Sequence, residues 1–252
     1  MIAIRMADTD MLQIGGESDF MNKITDLDRL ESYLQTYKLT TIFNDELLPH
    51  LSLNKYEQGE LICVQGEPAH TMYILVKGKV KIYTTSAKGQ ALILSFKKPL
   101  EVIGDIEYVQ EQDLINTVEA VSSVEMISVQ YRWLNKYGKD HAPLLRFLLE
   151  IVTRKFYIKS DFLSFNLLHP VEVRLASYLM SVSYDESDAL IKDKVSTVSL
   201  ADAANLIGTS YRHLNRVIQK FCEEGLIERR KGFIQIIDRE RLSMKAEHNI
   251  YE

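Results

Sequence analysis

The sequence predicts an α+β chain: an N-terminal antiparallel β-roll of jelly-roll type, one long helix, and a small C-terminal helical domain closed by a β-hairpin. Three observations predict it. Between Leu51 and Val129, short apolar runs recur between glycines at Gly59, Gly66, Gly78, Gly89 and Gly104, and many short strands with regular turn signals make a sandwich or barrel. From about Ala142 to Leu168 apolar residues keep helical spacing, with Pro143 in the first turn and Pro170 ending the element. Beyond Val171, further helical segments lead into a basic hairpin.

Residues 1–20 are polar without a clear period and read as a loose leader. The roll with its flanking helices is expected over residues 21–136. Asp26 to Lys38 has helical spacing, with Leu27, Leu30, Tyr33 and Leu34 on one side, and Thr40 to His50 predicts a second short helix ending near Pro49. In the roll, Val76 to Tyr83 alternates apolar and polar residues, the period of a half-buried strand.

The long helix occupies residues 137–169. Leu145, Leu149, Val152, Phe156 and Leu163 follow the seam of a two-helix coiled coil, interrupted by Lys159. Leu148, Ile151, Ile158 and Phe162 make a second face apolar. One face could pack on the roll and the other on a second copy; a single buried helix is the other reading.

The last region, residues 170–252, opens with a helix carrying Val173, Leu175, Ala176, Leu179 and Met180. Ser199 and Asp202 form an acidic variant of a capping box at the start of a short helix buried through Leu200, Ala203, Ala204 and Ile207. Gly208 permits a tight turn, and Thr209 and Ser210 are good caps for the next helix. There Leu214, Val217, Ile218 and Phe221 share one face, while Arg212, Asn215, Arg216 and Gln219 point the other way. Arg pairs bidentately with guanine, and Asn or Gln with adenine. Tyr211 sits in the first turn, and His213 and Lys220 lie at the flanks, where backbone contact is the better fit. Gly225 fits the helix C-cap. Leu226–Arg229 and Phe233–Ile237 read as a hairpin around Arg230-Lys231-Gly232, whose basic tip would meet phosphates. The ordered set is that of a winged helix-turn-helix that binds double-stranded DNA.

Composition agrees. The 252 residues are 46% hydrophobic and carry a net charge of −5, yet the stretch Gly208–Gly232 is net +3. The positive charge is concentrated where the DNA contact is expected. No apolar run approaches the roughly 20 residues of a membrane span, and the N-terminus lacks the basic start and apolar core of a signal peptide. Two distant cysteines, Cys63 and Cys222, supply no disulfide framework, zinc pair or iron–sulfur ligand set, and a reducing cytoplasm is expected. Each reads as a small buried residue. The β region offers His70, with His50 at its edge, and no His-x-His pair, so metalloenzyme chemistry on the roll is not expected. No cofactor or metal is called for.

The chain resembles the Crp/Fnr family of bacterial regulators. The resemblance rests on Tyr56-Glu57-Gln58-Gly59-Glu60-Leu61-Ile62, Gln65-Gly66-Glu67, Tyr73 to Val80, Val102-Ile103-Gly104-Asp105 and the helix-turn-helix. It implies a cyclic-nucleotide-binding type of roll, a dimerisation helix and a winged helix, and it favours the dimer for the long helix. Relatives that bind cyclic AMP place Gly-Glu and Arg-Ser at the two ends of a phosphate cassette. Here Gly104-Asp105 matches loosely, while Leu114-Ile115 stands at the Arg-Ser position, and Glu107 to Asp113 adds acids and no base. The purine-contacting pair becomes Lys159-Ser160, of which only the Ser160 hydroxyl is kept. A buried phosphate without a guanidinium is unfavourable, so cyclic AMP is not the expected effector. The cyclic AMP branch carries Arg-Glu and a further Arg on its recognition helix; here Tyr211-Arg212 and Arg216 occupy those places, and only Arg216 is retained.

The expectation is therefore a cytoplasmic, homodimeric transcription regulator on a two-fold operator, with RNA polymerase as a further partner and no membrane. The alternative is a signalling module in which an unidentified small molecule in the roll switches DNA binding.

Overall fold

The computed structural model describes residues 23–24, 26–87, 89, 91–183, 194–196 and 200–247. The expected leader, residues 1–20, and the capping residue Ser199 lie outside them. The chain divides at 84/85, 96/97 and 155/156 into two compact units.

The N-terminal unit holds β1 (Lys23–Ile24), α1 (Leu27–Thr36), β2 (Ser52–Tyr56), β3 (Leu61–Cys63), β4 (Thr71–Lys77) and β5 (Val80–Thr85). After β6 (Ala91–Lys97) it continues through β7 (Glu101–Ile103), α2 (Asp105–Gln110), β8 (Thr117–Ala120) and β9 (Val124–Gln130). The strands form two sheets, β1-β2-β9-β4-β7 and β3-β8-β5-β6. Strand β4 explains how the layers form. Successive side chains point to opposite faces, so Tyr73 and Leu75 join Tyr56, Cys63, Val80, Val118 and Met126 in one core. Met72, Ile74 and Val76 face the other way, into a second core with Leu30, Leu34, Leu39, Leu144, Leu148 and Ile151. Cys63 is buried in the first core, as expected of a small apolar side chain.

Helix α1 is capped by Asp26, which accepts from the Arg29 amide at 2.9 Å. Its Arg29 and Tyr33 both reach the buried Glu125 carboxylate on β9, which Lys77 also approaches at 3.2 Å.

Two sequence readings change. The alternation from Val76 to Tyr83 is not one strand. It breaks at Gly78, and its halves join different sheets. Gly78 has φ +87, and a Cβ there would stand 2.3 Å from the Ser123 carbonyl oxygen, so the chain turns where only glycine fits. Nor is Thr40–His50 a helix. It forms 3-10 turns at Leu39–Thr41 and Leu48–His50. Asn44 competes with helical bonding: its side chain accepts from the Leu47 amide and donates to the Tyr137 carbonyl. Pro49 contributes no amide donor.

A helical turn at Tyr131–Trp133 runs into a π-helix, Leu134–Gly138, and then into α3 (Ala142–Leu168). Leu144, Leu148 and Ile151 of α3 are buried in the second core. Of the expected seam, Leu145, Leu149, Phe156 and Leu163 are exposed, and Val152 is half-buried.

The C-terminal unit contains α4 (Val171–Ser183), β10 (Lys194–Ser196), α5 (Leu200–Leu206), α6 (Tyr211–Glu223), β11 (Ile227–Arg230), β12 (Phe233–Ile236) and α7 (Arg239–Lys245). Its strands are ordered β10-β12-β11. One core gathers Leu175, Leu179, Ala204, Leu214, Phe221 and Ile234 with Leu242 of α7.

Candidate nucleic-acid interface

The interface is built on α6. Gly208, at φ +65, makes the turn from α5, and the Thr209 amide donates to the Ala204 carbonyl at 2.8 Å. Ser210 caps α6 by accepting from the His213 amide at 3.2 Å. Leu214, Val217, Ile218 and Phe221 are buried, which turns the opposite face outward. Gly225, at φ +70, ends the helix.

A residue the sequence reading passed over holds the turn. Arg174 on α4 donates through Nη1 to the Ile207 carbonyl and, at 3.4 Å, to that of Gly208. A Cβ on Gly208 would stand 3.1 Å from that nitrogen. Lys220, expected at the flank, pairs with Glu172 of α4 at 2.6 Å. The ammonium holds the Glu172 carboxyl below its ordinary range by a hydrogen bond, against the cost of partial burial. The two contacts tie the turn before α6 and the C-terminal half of α6 to α4.

On the outward face, Arg212, Asn215, Arg216 and Gln219 line an open concavity of about 580 Å³, and Arg229 of β11 lines its other side. Arg212 and Arg216 make no hydrogen bond or ion pair among the described residues. Gln219 donates to Glu223 at 3.2 Å. Asn215 is not a free fork: it donates to the Tyr211 carbonyl at 2.9 Å and accepts from Arg229 at 2.8 Å. Tyr211 is exposed beside them. Strands β11 and β12 pair from Ile227↔Ile236 to Arg230↔Phe233, leaving Lys231-Gly232 as the tip. Arg230 pairs with Glu228 at 2.9 Å, and Lys231 is exposed.

The residues expected around an effector are arranged differently. Gly104, at φ +85, starts α2, and a Cβ there would overlap the Thr71 carbonyl and the Tyr131 hydroxyl. Asp105 is buried and bonded to Lys155 of α3 at 2.8 Å; Lys155 also reaches Glu101 at 3.3 Å and donates to the Val102 carbonyl. Leu114 packs against the first core. Ile115 donates its amide to the buried Glu107 carboxylate at 3.2 Å. The Arg-Ser position is thus filled by an apolar pair beside an acid. Lys159 and Ser160 are exposed on α3. Sequence reasoning missed Lys155 because its partners lie about fifty residues away.

Two families match the chain. The cyclic nucleotide-binding domain covers residues 53–140, and the Crp-like helix-turn-helix domain covers residues 173–244. The chain belongs to the Crp/Fnr family. Among curated relatives, the CRP-like cAMP-activated global transcriptional regulator of Mycobacterium tuberculosis is 23% identical over 195 residues, 76% of this chain and 86% of that protein. Regulatory protein YeiL of Escherichia coli O157:H7 is 26% identical over 214 residues, 84% of this chain and 91% of that one. A putative Crp/Fnr-family transcriptional regulator from Eubacterium rectale has the same fold, with a TM-score of 0.70 at 17% identity over 86% of this chain and 99% of that one. This Crp/Fnr chain is a DNA-binding transcription regulator, not an enzyme. No helix among its described residues is long and apolar enough to cross a membrane.

Proposed function

We propose that this regulator acts in the cytoplasm as a homodimer, reads a two-fold operator through α6, engages RNA polymerase, and is not switched by cyclic AMP. One observation carries the reading. Arg212 and Arg216 stand one turn apart on the outward face of a well-capped helix, with no partner among the described residues. Uncommitted guanidiniums on such a face suit guanine edges in a major groove. Tyr211 and Gln219 flank them; Lys231 at the wing tip supplies positive charge to the phosphates, and Lys220 and Arg230 join it where a phosphate competes with their partners Glu172 and Glu228. The exposed seam of α3 supports the second copy. Against cyclic AMP stands the filled cassette, where Lys155 neutralises Asp105 and Leu114-Ile115 offers no cation to a phosphate.

The test is selection of DNA from a random pool by the purified full chain, with and without cyclic AMP. The expected product is a two-fold motif with half-sites about one turn apart, enriched equally in both arms. Arg216→Ala should then cost about 1–3 kcal/mol and relax one base position, while Lys231→Ala weakens all sites evenly. No enriched motif, or enrichment only with cyclic AMP, would overturn the reading.

A further inference from the structure

We propose that Arg229 of the wing is a DNA-contacting residue of the reading surface, and that Asn215 is the residue that positions it rather than a base reader itself. The inference rests on the DNA-reading role proposed for α6.

The amide of Asn215 is fixed at both ends. Its nitrogen donates one turn back to the Tyr211 carbonyl at 2.9 Å, and its oxygen accepts from Arg229 Nη1 at 2.8 Å. The opposite orientation would set the amide NH2 against a guanidinium and the amide oxygen against a carbonyl, so the network decides the flip. Bidentate reading of adenine needs the amide's oxygen and N–H side by side and uncommitted. Here the oxygen is held by a charged donor, the stronger kind of hydrogen bond.

Arg229 is anchored in turn. Its backbone pairs with Ile234 across the hairpin, and its side chain lies against the middle of the helix face. A guanidinium has five N–H donors, and the Asn215 bond uses one nitrogen. Arg229 borders the same concavity as Arg212 and Arg216. Among the described residues, no Asp or Glu lines that concavity. Three like charges around one hollow repel one another, and an anionic or acceptor-rich surface entering it relieves the repulsion. A phosphate oxygen pair and a guanine O6/N7 edge present the same acceptor geometry to a guanidinium.

The sequence distinguishes Arg229 poorly, since it is one of three consecutive basic residues, Arg229-Arg230-Lys231. The structure separates them: Arg229 turns to the helix, Arg230 pairs back to Glu228, and Lys231 sits at the tip.

The test is a double-mutant cycle, Asn215→Ala, Arg229→Ala and both together. Affinity is measured at several salt concentrations on the DNA that the wild-type chain selects from a random pool. Arg229→Ala is expected to weaken binding about tenfold, and Asn215→Ala by about the same factor or less. The double variant should be no weaker than Arg229→Ala alone, because Asn215 acts through Arg229. A salt slope lower by about one marks phosphate as the partner, and relaxed preference at one base with the slope kept marks a base edge. Unchanged thermal unfolding of the single variants shows that the fold is intact. Independent, multiplicative losses, or an Arg229→Ala variant that binds like wild type, would overturn this inference while leaving the DNA-reading role standing. A wild-type chain that selects no DNA would overturn both.

Discussion

Lys155→Met removes the ammonium that neutralises the roll's buried acids and keeps most of the side chain's apolar bulk. The Lys155 side chain is 24% exposed, whereas that of Asp105 is 2% exposed. Breaking a buried pair from one side costs about 3–5 kcal/mol, because the remaining charge is stranded. Glu101 keeps Lys97 at 3.6 Å, so Asp105 is the stranded group. With the lysine partly open to water, the lower end applies, about 3 kcal/mol. Asp105→Asn in the same chain removes the stranded charge, so the double variant should be more stable than the sum of the single losses by about 1–2 kcal/mol. Urea unfolding followed by Trp133 fluorescence measures this. Trp133 is the only tryptophan in the sequence, and it packs against the second core of the N-terminal unit, so the signal reports that unit. A Lys155→Met chain within about 0.5 kcal/mol of wild type, or an additive cycle, would refute the argument.

Two further outcomes follow from the same elements. Leu149 and Phe156 are 67% and 73% exposed, so Leu149→Glu with Phe156→Glu should halve the mass seen by light scattering, from twice 29.0 kDa to one chain. Both units should unfold as before, and a wild-type chain already monomeric at micromolar concentration would contradict this. His50 stacks on Trp133 at 3.7 Å and is held below the ordinary imidazole range, first by burial and then by Lys136 and Arg132. The folded state therefore binds the proton less readily than the unfolded chain. Stability of the N-terminal unit should fall as pH drops through about 6.5 towards the folded value and level off below it. His50→Phe should remove that slope, and a wild-type minus variant difference flat between pH 7.5 and 5.5 would argue against it.

The legible parts of the chain were those with an unambiguous period. The spacing of Leu214, Val217, Ile218 and Phe221 identifies both faces of α6, and Pro143 and Pro170 bracket α3. Helix α2, six residues long, is too short to show a period, and α7 gave no clear signal beyond the hairpin. Val76 to Tyr83 kept its alternation through a break that only the crowding at Gly78 reveals. At the site, periodicity placed Asn215 outward correctly. It carried no information about Arg229 across the hairpin, just as it could not pair Lys155 with Asp105 or Arg174 with Ile207. These are long-range polar contacts, set by tertiary packing rather than by neighbours in sequence.

The Arg174 clamp has a consequence for how such a protein changes its address. It grips carbonyl oxygens of Ile207 and Gly208, groups that every residue carries. Tyr211, Arg212, Arg216 and Gln219 are exposed and lie outside the core. The mount of the reading helix is therefore indifferent to most of the letters it displays. If α6 reads the operator as proposed, substitution at those four positions should rewrite the preferred sequence while the scaffold that presents them stays the same.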